Sequence, residues 1–136
     1  MAWTAEHAKL IKGVIGDPGS QASWEALAFL IAVKLWVGNV AGPIVVAGDA
    51  EGVLCDLVQL RGRSTEINEI AKEVALHLAP QGRDLAGLHL WGERNTIADQ
   101  LSRIQEDGWT QHLDWVLHWE VERVVPSIKD FKLSYL

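Results

Sequence analysis

Three carboxylates stand where the interior of a small protein would not place them, and their chemistry is the first thing the chain offers. Glu25 has Ala28, Phe29, Ala32 and Trp36 at its helical neighbour positions, an apolar stripe. Asp49 follows the β-branched run Ile44-Val45-Val46-Ala47 by two residues, the place where open α/β sheets gather ligand and catalytic groups. Asp99 opens a helical stretch in Asn95-Thr-Ile-Ala-Asp-Gln-Leu-Ser-Arg103. Each has a plainer reading. Glu25 suits the first turn of a helix dipole, Asp49 suits an N-cap, and Asp99 suits an i,i+4 pair with Arg103. Brought to one sheet edge, the three would need hard cations, Mg²⁺ above all. Two such ions about 3.5–4 Å apart activate a water and stabilise the leaving oxygen in phosphodiester hydrolysis.

The elements that must position them follow from pattern. Residues 1–7 read as a short strand, and the Gly/Pro/Ser-rich stretch Lys9 to Gln21 as a turn. Gln21 to Val37 reads as a nearly all-apolar helix, broken by Gly38-Asn39 and Gly42-Pro43. Ile44 to Ala47 then reads as a buried parallel strand, Ala50 to Leu60 as a helix, Arg61-Gly-Arg63 as a turn and Ser64 to Leu78 as an amphipathic helix. Leu85 to Trp91 is a second strand, Gly92 to Asn95 a tight loop, Thr96 to Ile104 a helix, and Trp109 to Val125 a last helix ended by Pro126. Strand, helices, strand and helix make an α/β protein with a mixed sheet flanked by helices.

Composition narrows the class. The 136 residues are 49% hydrophobic and 22% charged, which excludes a disordered, collagenous or coiled-coil chain. The single Cys55 excludes a disulfide framework and points to an intracellular, reducing compartment, with no signal peptide at the start. The longest apolar stretch, Ala26 to Val37, is interrupted by Lys34 and falls short of the ~20 residues that span a bilayer, so no membrane is expected. Net charge is -6, so a nucleic acid would have to be held by local contacts, not bulk charge.

Leu88-His-Leu-Trp-Gly-Glu-Arg-Asn-Thr-Ile-Ala-Asp-Gln-Leu-Ser-Arg103 resembles the hydrophobic strand, Gly, Asn and Ala-Asp-x-Leu-Ser-Arg signature that closes the ribonuclease H domain of retrotransposon reverse transcriptase polyproteins. Trp24-Glu-Ala-Leu-Ala resembles the first-helix glutamate segment of that family, and Ile44-Val-Val-Ala-Gly-Asp49 its strand ending in aspartate. The resemblance covers roughly Ala2 to Arg103, giving a partial ribonuclease H-like domain over 1–104 and a helical appendage over 105–136. It implies that Glu25, Asp49 and Asp99 are three of the four catalytic and metal-binding carboxylates, holding Mg²⁺ or Mn²⁺ in a two-ion site. The implied activity is endonuclease hydrolysis of the RNA strand of an RNA–DNA hybrid, with other domains of a retroelement polyprotein as neighbours.

The family opens with two further strands, the first carrying an aspartate. The chain enters at the third with Ala2-Trp-Thr-Ala, and the loop Gly92-Glu-Arg-Asn95 lacks the histidine of cellular relatives. The expectation is therefore a weak or inactive nuclease by itself, with an exposed sheet edge prone to self-association. The alternative is a non-catalytic ribonuclease H-like connection module that binds nucleic acid or a neighbouring domain. Arg61, Arg63, Arg94 and Asn95 are the candidates for nucleic-acid contact, since Arg forks fit phosphate oxygens, against solvated arginines and a helix-capping Asn95. His89 reads as structural, Cys55 as an inert core thiol, and Trp109, Trp115 and Trp119 as either a packing face or a base-stacking one.

Overall fold

A computed structural model describes residues 3–102 and 126–133. Arg103 and the expected Trp109–Val125 helix, with its tryptophans and histidines, lie outside the described residues.

The first element is a helix, α1 (Ala5–Ile11), and this corrects the strand expected over 1–7. The cause is local. The Thr4 hydroxyl accepts the His7 N–H, and the Thr4 N–H donates to His7 Nδ1 at 3.0 Å, a capping box in which histidine takes the place of the usual Glu or Gln. The helix carries Lys9, Leu10 and Ile11 out of the expected turn, which is confined to the residues after Lys12.

Helix α2 (Gln21–Trp36) spans 16 residues and buries seven of them, from Trp24 to Val33. It is wrapped by α3 (Glu51–Val58) and α4 (Thr65–Leu78), so its apolar surface is used on more than one side. Ser64 caps α4 through its hydroxyl, 3.1 Å from the Ile67 N–H, and the buried face Ile67, Ile70, Ala71, Val74 and Leu78 meets α2. Leu27, Leu30, Leu57, Ile70 and Val74 form the centre of the core.

Strands β1 (Ile44–Gly48) and β2 (Leu85–His89) pair in parallel, Ile44 against Leu85 through Gly48 against His89. Arg83 sets the entry to β2 by donating from Nε and Nη2 to the Gly42 carbonyl, at 3.1 and 2.8 Å, and from Nη1 to the Val37 carbonyl. Helix α3 covers one face: a Cβ on Gly87 would stand 3.1 Å from Val58 Cγ2. On the other face Val45 is 64% and Leu88 52% exposed, unlike a parallel sheet clothed on both sides. The described residues contain no further strand, so the fold is α/β with a two-stranded parallel sheet, and the larger mixed sheet is not formed among them.

Helix α5 (Thr96–Ser102) follows β2 through a 3₁₀ turn at Gly92–Arg94. Ile128–Phe131, inside the stretch set apart as an appendage, returns to the core: Phe131 is buried against Trp3 and His7, with ring centroids 6.1 and 4.3 Å away. No helix among the described residues is long and apolar enough to cross a membrane.

Candidate functional site

The turn from β1 into α3 places Asp49 immediately beyond Gly48, and the first turns of α2 lie beside it. Asp49 does not cap α3: the cap position is Ala50, without a side-chain hydrogen bond, and Asp49 contributes only its carbonyl, which accepts the Glu51 N–H at 3.1 Å. Its carboxylate is left to solvent. Glu25 is half-buried, and Gln21 Nε2 donates to its Oε1 at 3.0 Å.

Glu25 and Asp49 face the same open cleft of about 810 Å³, whose wall also includes Gln21, Glu51, Gly52, Asp56, Arg63 and Ser64. They also share a smaller cavity of about 140 Å³ between α2 and β1, lined by Ala28, Phe29 and Val46. Two residues distant in sequence and singled out for chemistry thus line the same two cavities at the end of a strand.

Asp99 is exposed in the first turn of α5, its N–H donated to the Asn95 carbonyl at 3.0 Å, and it lines neither of these cavities. Among the described residues no group of three or more His, Cys, Asp or Glu side chains is arranged to hold a metal ion. Glu25 and Asp49 are suitable oxygen donors. They are two, and the described residues do not complete the expected site.

The arginines divide. Arg63 lines the large cleft and is tied to Asp56, while Arg61 is exposed on an adjoining cavity of about 480 Å³ that Arg63 also lines. Arg94 and Asn95 lie on the loop after β2, where their N–H groups donate to the Trp91 carbonyl at 2.7 and 3.1 Å. That pins Trp91, which is largely exposed and packs edge-on against His89 with centroids 5.0 Å apart. His89 Nε2 is 3.2 Å from the Asp49 carbonyl, so the histidine ties the ends of the two strands together, a structural role.

Cys55 is exposed, correcting the expected core thiol. On α3 the buried positions are Val53, Leu54, Asp56 and Leu57, so the inward slot next to Cys55 is taken by an aspartate. Asp56 was missed because its partner Arg63 lies beyond the helix end. Glu73, buried on α4 and paired with Lys34 and His77, was missed because Lys34 arrives from another helix, α2. The sequence signals for it were Lys34 interrupting an apolar helix and His77 at i+4.

The geometry defines an α/β domain with an acidic cleft at the carboxyl end of a parallel strand. Compared with protein-family models, curated proteins and solved structures, the chain has no match in any of the three.

Proposed function

We propose that the chain is a ribonuclease H-like module of a retroelement polyprotein that takes an RNA–DNA hybrid against the cleft at the end of β1 and cleaves it only weakly by itself. The observation that carries this reading is that Glu25 and Asp49, each matched to a carboxylate of the family, line one cleft. The signature running from Leu88 to Arg103 supplies the family, and the two arginines at the cleft and beside it supply contacts suited to phosphate. The described carboxylates do not complete a two-ion site, and no hydrolytic step is assigned to them.

A second reading, the non-catalytic module that binds nucleic acid or a neighbouring domain, is favoured by the position of Asp99 away from that cleft. One assay separates the two. The chain is mixed with a labelled RNA–DNA hybrid in Mg²⁺ or Mn²⁺, and binding and product are followed together. Slow product formation lost in Asp49→Asn and Glu25→Gln supports the nuclease. A bound but uncut hybrid supports the second reading, and a hybrid neither bound nor cut overturns the first reading and the nucleic-acid form of the second.

A further inference from the structure

Asp56 is buried on α3, and both of its carboxylate oxygens lie within hydrogen-bonding reach of Arg63 Nε, at 3.0 and 3.2 Å. The side chains are 9% and 72% exposed respectively, so a buried anion holds an outward-facing cation by its inner nitrogen. A buried carboxylate is expensive to leave unpaired, which commits Nε to this contact. Nη1 and Nη2 make no hydrogen bond to protein among the described residues.

The guanidinium is also confined in space. It lies against Gly52 on the first turn of α3, where a Cβ would stand 2.5 Å from Nη2 and 3.5 Å from Cζ. Glycine weakens a helix relative to alanine, and here the missing methyl is the room that Nη2 occupies. The turn that delivers Arg63 is equally tight: a Cβ on Gly62 would meet the Asn68 nitrogen at 2.2 Å, and the Gly62 N–H donates to Asn68 Oδ1 at 3.3 Å.

We propose that Asp56 and Gly52 are positioning residues that hold Arg63 as a fixed two-nitrogen fork for a phosphate group of a polynucleotide strand at the mouth of the cleft. The proposal rests on the hybrid-binding reading above. A planar pair of N–H donors matches two phosphate oxygens, which a lysine in the same place does not reproduce. Glu25, Asp49 and Glu51 line the same cleft and repel an anion, so the phosphate is placed at the Arg63 side. Arg61 on the adjoining cavity is in place for a neighbouring phosphate of the same strand.

Binding of a fluorescent RNA–DNA hybrid is measured by anisotropy across a salt series for the wild type and for Gly52→Ala, Arg63→Ala and Arg63→Lys. A parallel titration with inorganic phosphate follows the Arg63 Nε–H resonance. Gly52→Ala and Arg63→Ala are expected to weaken binding about tenfold, as for loss of one charge-assisted contact. Arg63→Ala should lower the salt slope by about one, and Arg63→Lys should keep the slope while losing affinity. Gly52→Ala should melt close to the wild type, because the methyl displaces Nη2 and leaves the Nε that pairs with buried Asp56 in place.

A hybrid bound through these residues but never cut leaves the fork standing and removes the nuclease. A phosphate-induced shift at Arg63 without hybrid binding keeps the anion site and overturns its assignment to a polynucleotide. Cleavage or binding unchanged in Gly52→Ala and Arg63→Ala overturns the fork and leaves the proposed function intact. Absence of both hybrid binding and the phosphate shift overturns it as well.

Discussion

Lys34 on α2 places its Nζ 3.4 Å from Oε1 of Glu73 on α4, across the most extensive helix contact among the described residues. The side chains are 12% and 1% exposed. Nζ also donates to the Lys132 carbonyl at 2.6 Å, so one ammonium joins two core helices and the returning C-terminal stretch. His77 Nε2 is 3.4 Å from the same carboxylate oxygen.

Removing one member of this pair leaves a buried charge with less compensation. Lys34→Met is expected to destabilise the protein by about 3–5 kcal/mol, read as a lower denaturation midpoint in urea. Replacing both partners with apolar residues of similar volume should restore most of the loss. A double variant no better than the single one would show that the lysine acts mainly through its bond to Lys132.

Phe131 fills a fully buried position that α1, α2 and Trp3 surround. Phe131→Ala is expected to cost about 3–5 kcal/mol by transfer and cavity terms. Near-ultraviolet circular dichroism should change with it, because Trp3 rests 4.8 Å from Trp24 beside the same ring. An unchanged midpoint would mean that Ile128–Phe131 does not hold the core in solution.

Two glycines should respond in opposite ways. Gly62→Ala drives a methyl into the backbone of Ile67 and Asn68 and should cost about 1–3 kcal/mol. Gly38→Ala meets nothing within 4 Å at a position without positive φ, and should be neutral or slightly stabilising. Thermal melts of the two variants side by side check the contrast.

Cys55 should react with a thiol-specific reagent in the native protein without denaturant, since it is exposed. Protection that disappears only on unfolding would contradict its place on the outer side of α3.

Glu25→Gln and Asp49→Asn each remove a negative charge from the cleft in which Arg63 is placed. Without divalent ions, each should raise hybrid affinity severalfold, opposite in sign to the loss at Arg63. Anisotropy in chelator reads this directly. A fall in affinity would place the hybrid away from this cleft.

Much of the fold was legible because its signals are local. The long apolar stretch ended by Gly38-Asn39, the β-branched run from Ile44 and the Ser64-capped amphipathic helix all lie within a few residues of what they become. Helix α1 was not legible, because its start depends on a histidine acting in a capping box and is followed closely by Gly13, Gly16 and Pro18. The place of Asp49 just past a strand end was legible from the β-branched run before it. Asp56 and Glu73 were not, because periodicity counts a charged residue as outward and cannot see Arg63 folding back or Lys34 arriving from another helix. Asp99 carried the strongest motif and still lies off the cleft wall, since a motif fixes a residue's neighbours in the chain and not those across the fold.

The parallel pairing of β1 with β2 also governs how the protein reaches its native state. His89 meets Asp49 at a sequence separation of 40, and α3 and α4 occupy the span between them. Strands joined by such a crossover cannot zip from a hairpin turn; their ends must meet after the intervening helices have shortened the loop. Sheet formation is therefore expected late in folding, and until it occurs Val45 and Leu88 belong to unpaired apolar segments open to pairing with other chains.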